Sequence, residues 1–257
     1  MVNILRPERY ERIIQLVNEK GIISTGELCN ALNVSKATIR RDVTVLDAEN
    51  QIKKTHGGAM VLTKLATQEL PISLRKFMHK EEKARIAIAA LESINDGDTI
   101  FINSGTTTFE LAAKLSVFKN LTVLTNDINI AAEVATNTEN ALIVTGGELK
   151  KSTATLMGMF TERMLQELHV DKSFISADAV SLESGYMDYN TEEIPIKRIM
   201  IKNARELIML CDHSKFENAA FMSICPLNAA NLTITGKEID PVIAQKMFDA
   251  GIILKVV

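Results

Sequence analysis

Two stretches of this chain carry residue types at spacings that could do chemistry. In the first, Lys36, Ala37, Arg40, Arg41 and Thr44 recur at helical spacing. A helix through them presents a basic outer face, opposite an apolar stripe of Ile39, Val43 and Leu46. An arginine fork donates two hydrogen bonds to one guanine edge, and Lys, Ser and Thr hold phosphates or single base atoms. The chemistry is DNA reading, with Ser35, Lys36, Ala37, Thr38, Arg40 and Arg41 as the candidate residues. In the second stretch, Ser104-Gly105-Thr106-Thr107-Thr108 runs into a helix expected to begin at Phe109. A glycine permits a tight turn, and the free amides of a helix N-terminus with neighbouring hydroxyls cradle an anion. Taken alone, these threonines serve equally well as helix caps. The stretch lacks the Gly-Lys-Ser/Thr ending of a Walker loop and the pattern of a dinucleotide fingerprint.

The elements that must position these residues follow from periodicity. Tyr10, Ile13, Ile14 and Val17 share one helical face, and Gly21 stops that helix. Ser24-Thr25-Gly26-Glu27 has capping-box spacing and opens a second helix with Leu28, Ala31 and Leu32 inward. Asn33-Val34 makes a tight turn, and Ser35 caps the third helix. Ile52 to His56 is expected as a strand closed by Gly57-Gly58, which offers Lys53, Lys54 and His56 as a wing along the DNA backbone or minor groove. Two short helices joined by a tight turn, the second with outward basic residues, form the geometry that enters a major groove. A plain three-helix packing unit with solvated Arg and Lys is the alternative. The joint occurrence of caps, turn and basic face favours DNA. Asp42 is better placed to hold an Arg or Lys side chain than to meet phosphate.

Beyond residues 59–75, expected as a linker, a helix runs from about Lys80 to Ile94 and ends at Asn95-Asp96-Gly97-Asp98. Strand-like runs then alternate with helices: Thr99–Asn103, Leu121–Thr125, Ala141–Thr145, Ser173–Ala177, Leu207–Cys211 and Leu232–Thr235. This predicts a mostly parallel sheet covered on both faces, with Met222–Ile224 making the C-terminal part partly antiparallel. In such a sheet, ligands collect beyond the carboxyl ends of the strands. Those ends are polar or small here: Asn103 to Thr108, Thr125-Asn126-Asp127, Thr145-Gly146-Gly147, Ala177-Asp178, Asp212-His213-Ser214-Lys215 and Thr235-Gly236. Converging hydroxyls and glycines suit a phosphate or a polyol.

Composition sets limits on this reading. With 257 residues the chain suits one large or two unequal domains, and 46% hydrophobic residues allow a sizeable core. No apolar run approaches the roughly 18–20 residues of a membrane span, so no membrane partner is expected. The start of the chain carries Arg6, Glu8, Arg9, Glu11 and Arg12, which is no secretory signal and points to the cytoplasm. Residues 1–58 hold nine Lys and Arg against seven Asp and Glu, so a slightly basic head precedes a body of net −5. Cys29, Cys211 and Cys225 are far apart, and His56, His79, His169 and His213 show no metal-ligand spacing. All seven are expected in packing or surface roles, with no metal and no cofactor. Met157, Met159, Met164 and Met200 are expected as core or interface filler.

Ser35-x-x-Thr38-Ile39-Arg40-Arg41-Asp42 followed by His56-Gly57-Gly58-Ala59 resembles the signature of the DeoR family of bacterial transcription regulators, and the resemblance continues through nearly the whole chain. Val43 stands where the family usually has Leu, and Lys54 where Arg is common. The resemblance implies a winged helix-turn-helix at 1–58 and an α/β effector-sensing and oligomerisation domain at 76–257, whose fold is like ribose-5-phosphate isomerase and the coenzyme A transferases. It also implies a phosphorylated sugar or polyol effector, with Ser104-Gly105-Thr106-Thr107 as the phosphate loop. Thr145-Gly146-Gly147, Glu193 and Asp212-x-Ser214-Lys215-Phe216 match other recurring family positions. Asn126, Gly146 and Gly147 join the ligand set, Lys215 pairs with an anion and Glu193 accepts from sugar hydroxyls. Asn103 replaces a frequent Asp, and Ala177-Asp178-Ala179 a more Gly-rich segment. The expected function is a homo-oligomeric (dimer or tetramer) repressor of a carbohydrate catabolic operon, binding a double-stranded operator and relieved by effector. The alternatives are a sugar-phosphate isomerase-like enzyme using Asp178, Glu193 and Lys215, and a scaffold that binds DNA constitutively.

Overall fold

The computed structural model describes residues 5–20, 22–49, 51–54, 57–60, 72–76 and 78–257. Contacts divide the chain into two units, Met1–Leu65 with Ser73–Met78 and Ala66–Ile72 with His79–Val257.

The first unit runs α1 (Arg6–Lys20), β1 (Ile22–Ser24), α2 (Thr25–Leu32), α3 (Lys36–Ala48), β2 (Lys53–Lys54) and β3 (Gly58–Met60). Each helix boundary has a local cause. Ser24 and Glu27 complete a capping box at α2, and Asn33 ends that helix in the left-handed region at φ 52°. Ser35 caps α3 by accepting from the Thr38 amide. Ile13, Val17, Leu28, Ile39, Val43, Leu46 and Ile52 close one apolar core. Two strands went unexpected: β1 pairs antiparallel with β3, which pairs with β2. A side chain at Gly58 would put its Cβ 2.0 Å from the Ile23 carbonyl oxygen, so this crossing needs glycine. The linker expected from residue 59 therefore begins inside β3, because Gly58 to Met60 are held in the sheet rather than freed by it. Residues 61–71 lie outside the described residues, and a single turn, α4 (Ile72–Arg75), follows them.

The second unit runs α5 (Lys80–Leu91), β4 (Thr99–Ile102), α6 (Thr106–Ala112), β5 (Thr122–Thr125), α7 (Ile128–Asn137), β6 (Ala141–Val144), β7 (Glu148–Lys150) and β8 (Thr155–Met157). It continues α8 (Met159–Gln166), β9 (Val170–Ile175), β10 (Ala179–Ser181), β11 (Gly185–Asp188), α9 (Ile194–Lys202), β12 (Ala204–Leu210), β13 (Met222–Cys225), β14 (Leu232–Thr235), α10 (Pro241–Asp249) and β15 (Leu254–Val256). Among the described residues the main sheet has seven strands in the order β15-β14-β12-β9-β4-β5-β6, all parallel. Alternation along each strand feeds two cores. Ile100, Ile102, Val123, Phe174, Ile208 and Leu210 face one, while Phe101, Leu124, Ile175, Leu207 and Met209 face the other. The antiparallel character expected of the C-terminal part is found at β13, which pairs antiparallel with β11. β13 joins a separate sheet, β10-β11-β13, because β14 and β15 continue the parallel ladder without it.

The topology also marks where a site is expected. The chain lays β4, β5 and β6 outward in one direction, then returns to place β9 against β4 and builds β12, β14 and β15 the other way. The β4–β9 boundary is thus a topological switch point, where chains leaving adjacent strands diverge and open a crevice beyond the carboxyl ends. Met157 and Met200 are core residues as expected, whereas Met159 is exposed.

Candidate functional site

In the first unit, α3 carries the candidate DNA face. Lys36, Ala37, Arg40, Arg41 and Thr44 are exposed, while Ile39, Asp42, Val43 and Leu46 are buried. Among the described residues no ion pair engages Lys36, Arg40 or Arg41, which leaves their charges available. Ser35 and Thr38 are tied to each other, Oγ to Oγ1 at 2.9 Å, so their hydroxyls fix the start of α3. Asp42 holds an arginine, as its position suggested, and that arginine is Arg9 on α1. Its Oδ2 accepts from Arg9 Nε at 2.6 Å and its Oδ1 from Arg9 Nη2 at 3.3 Å. Lys53 is exposed and sits 4.0 Å from Asp47. Lys54 is turned onto α3: its backbone N–H donates to Asp47 Oδ1 at 2.8 Å and its Nζ to Thr44 Oγ1 at 2.9 Å. His56 lies outside the described residues.

In the second unit, the loop after β4 is stitched to β9. The Asn103 side chain accepts from the Ser176 amide at 2.9 Å and donates to the Ser104 carbonyl at 2.7 Å. The chains come so close here that a Cβ on Gly105 would lie 2.4 Å from Ser176 Oγ and 2.9 Å from Thr108 Oγ1. Helix α6 starts at Thr106, three residues earlier than expected. The amides of its first turn have no intrahelical acceptor and follow Gly105 directly. Thr108 Oγ1 donates to the Asn103 carbonyl at 2.7 Å, so of the three threonines this one has a structural task.

Ser104 is the hub of a buried polar network. Its hydroxyl donates to Asp127 Oδ2 at 2.6 Å and accepts from Thr155 Oγ1 at 2.8 Å. Asp127 in turn caps α7 by accepting from the Asn129 and Ile130 amides at 2.7 and 3.1 Å. Burial pushes its carboxyl above the usual range, against the Ser104 and amide bonds, and the nearby Glu193 charge adds to the rise. Thr153 joins the groups, its carbonyl 3.4 Å from Ser104 Oγ and its hydroxyl 3.5 Å from Glu193 Oε1. Asn190 Nδ2 donates to that same Glu193 oxygen at 2.7 Å. Glu193 is a buried carboxylate at the start of α9. Two further strand-end atoms, Asn126 Oδ1 and Thr145 Oγ1, are buried and without a partner among the described residues.

Beside this network, Lys197 Nζ lies 2.5 Å from Asp188 Oδ2 and donates to the Ser176 carbonyl at 2.9 Å. Burial opposes the Lys197 charge, but Asp188, Glu193 and Asp178 outweigh it and hold the lysine protonated. Burial conversely raises the Asp188 carboxyl, and Lys197 pulls it back. A buried cation therefore stands at the switch point, surrounded by carboxylates.

Of the expected ligand residues, Ser104, Gly105, Thr106, Thr107, Asn126 and Glu193 come to one edge of the sheet. Gly146 and Gly147 lie at the exposed end of β6, the Gly146 carbonyl accepting from Thr161 Oγ1 at 2.5 Å. Lys215 belongs to a different group. With Lys83 it overcomes the burial that would raise Asp212 and holds that carboxylate below the usual range. Reasoning from sequence missed Thr153, Thr155, Asn190 and Lys197. The two threonines sit on the β7–β8 hairpin, whose turn places Ala154 at φ 59°, a position normally marked by Gly or Asn. Asn190 and Lys197 sit three residues before and four after Glu193 and carry no signal separable from an ordinary polar face.

Among the described residues no helix is long and apolar enough to cross a membrane. Comparison with known proteins gives matches to the DeoR-like helix-turn-helix domain over residues 9–65 and to the DeoR C-terminal sensor domain over residues 78–237. The HTH-type transcriptional regulator IolR of Bacillus subtilis (strain 168) is 33% identical over 90% of this chain and 92% of its own. The glycerol-3-phosphate regulon repressor of Escherichia coli (strain K12) is 31% identical over 89% of this chain and 90% of its own. A solved D-ribose-5-phosphate isomerase aligns with a TM-score of 0.41 at 16% identity, covering 53% of this chain and 54% of that one. The relatives are named as regulators and repressors, not as enzymes. The chain belongs to the DeoR family and is a DNA-binding transcriptional regulator.

Proposed function

We propose that the protein represses a carbohydrate catabolic operon and that a phosphorylated sugar or polyol relieves the repression. The observation that carries this reading is the Ser104 network at the β4–β9 switch point. Free first-turn amides of α6, the buried Lys197 cation and a set of buried hydroxyls and carboxylates stand together there. Amides and a cation suit a phosphate. Carboxylates such as Glu193 and the unpartnered oxygens of Asn126 and Thr145 suit hydroxyl donors of a polyol. The E. coli relative is named for glycerol-3-phosphate, which has that chemistry, and for repression.

On the DNA side, Lys36, Arg40 and Arg41 meet the operator, with Ser35, Ala37 and Thr38 at the start of the helix and Lys53, Lys54 and His56 on the wing. Lys54 must leave Thr44 to reach a phosphate. We further assign Lys215, on the Asp212 loop and outside the Ser104 network, to the effector's anionic group, and Gly146 and Gly147 to the far end of the site. The domains divide as a winged head, a linker and a sensor that also self-associates into a dimer or tetramer. Exposed Phe221, Phe248 and Ile253 on the sensor unit support that self-association. The protein acts in the cytoplasm, where the operator is. Effector and operator are linked reciprocally, so bound operator weakens effector binding by the same factor as effector weakens operator binding.

The test is a thermal-shift panel of phosphorylated and unphosphorylated sugars and polyols, followed by operator footprinting with each stabilising compound. A phosphorylated compound should raise the melting temperature and release the footprint. A footprint indifferent to every such ligand defeats the reading.

A further inference from the structure

A second cluster of chemically capable side chains shares no hydrogen bond with the Ser104 network among the described residues. His79 directly precedes α5, Glu82 sits in its first turn, and His213 follows β12. One ligand atom from each of the three lies within 4.8 Å of the others. We propose that His79, Glu82 and His213 bind a divalent transition-metal cation of the zinc type, tying the start of α5 to the loop after β12.

The donor set selects the class of cation. Two imidazoles and one carboxylate suit zinc and its neighbours, whereas calcium and magnesium require an all-oxygen shell. Zinc sits about 2.0–2.2 Å from such ligands, which places tetrahedral donor atoms roughly 3.3 Å apart. Glu82 Oε2 and His213 Nδ1 are 2.7 Å apart in their hydrogen bond, so the cation displaces the shared proton to solvent, parts the two atoms to that spacing and draws the His79 ring inward. Three protein ligands leave a fourth position open to water or to an oxygen of another ligand.

The surroundings hold the ligands in place. Glu82 Oε1 accepts from the His213 backbone N–H at 2.7 Å, which fixes the carboxylate against the loop it would share a metal with. The His79 ring meets the His213 ring edge-on at 4.7 Å. His79 occupies the left-handed region at φ 52° and makes no side-chain cap bond to α5, so its imidazole is not spent on capping the helix. Asp212, Lys83 and Lys215 supply nearby charge of both signs. Sequence spacing conceals the site because His213 lies 131 residues from Glu82.

Metal-free full-length protein, titrated with zinc against a chromophoric chelator, tests the proposal without any effector. One zinc should bind per chain, and Co(II) in its place should give the absorption bands of a four-coordinate site. His79→Asn keeps a residue that tolerates the left-handed backbone, and His213→Gln removes the second imidazole. Each should weaken zinc binding by at least about tenfold, the loss that even an outer-shell partner causes. Circular dichroism of His79→Asn should match that of the parent. Absence of stoichiometric binding at micromolar zinc, or unchanged affinity in His79→Asn, would mean that Glu82 and His213 are a hydrogen-bonded pair only.

Discussion

Removing Asp42 offers a severe test of how the head is held together. The Arg9–Asp42 pair is two-pronged, and its side chains are only 13% and 4% exposed. Hydrogen bonds to charged groups contribute about 1.5–3 kcal/mol each, and breaking a fully buried ion pair costs about 3–5 kcal/mol. Arg9 keeps some access to water, and alanine is the better helix former inside α3 by about 0.5 kcal/mol. Asp42→Ala should therefore destabilise the head by about 2 kcal/mol, roughly a 30-fold change in its folded-to-open ratio. Hydrogen exchange of α1 and α3 peptides in the full-length protein reads that opening locally. A double-mutant cycle with Arg9→Ala isolates the pair, and a coupling of about 1.5–2.5 kcal/mol is expected. Operator affinity should fall because α3 is less often in place, while the dependence of affinity on salt stays the same, since no phosphate contact is lost. A coupling near zero, or a shallower salt slope in Asp42→Ala, would refute a positioning role.

Other substitutions probe the two faces of the protein. Arg40→Ala should cost about 1–3 kcal/mol of operator binding and relax the preference at one base pair, whereas Lys36→Ala should weaken all sequences alike and reduce the salt slope by about one. Gel-shift titrations at several salt concentrations against operator variants distinguish the two. Gly105→Ala forces Ser176 aside from 2.4 Å and should cost about 1–3 kcal/mol of stability, together with the thermal shift by a phosphorylated effector. A full ligand shift in that variant would disconnect the loop from the site. Asp127→Asn keeps an oxygen to cap α7 and removes a buried charge. The wild-type carboxyl is raised by burial, so the folded state holds its proton more tightly and loses stability as pH rises from about 4 through the folded value. The variant should gain on the wild type across that interval in urea melts, and a constant difference would contradict the assignment.

How much was legible depended on what announced each element. Strands β4, β5, β6, β12 and β14 could be located within a few residues because each couples an apolar run to a polar strand end. The caps at Ser24 and Ser35 were visible because capping needs particular oxygens at particular offsets. By contrast β1 and β3 are three residues each, too short for a period, and their pairing shows only in the space Gly58 must leave. The start of α6 was misplaced because Thr106 to Thr108 look like a cap, when Gly105 is the position before the helix. The site followed the same rule. Ser104 stood out by type and Glu193 through the family resemblance alone, but the threonines joining them lie on a hairpin that turns at an alanine. The His79–Glu82–His213 cluster exists only after α5 and the β12 loop are folded together.

The Asn103 side chain has a mechanical consequence. Just past the last ladder bond of β4 and β9 it imitates a peptide group, its oxygen taking the Ser176 amide and its nitrogen serving the Ser104 carbonyl. It works as a rivet at the point where two diverging chains would otherwise begin to part. An ionised aspartate could take the amide but could not serve the carbonyl, so the asparagine exchanges a negative charge for a second fastening. The aperture of the crevice is thereby set before any guest arrives. A guest must match that gauge instead of wedging it wider, and widening the range of compounds that fit would begin by loosening this rivet.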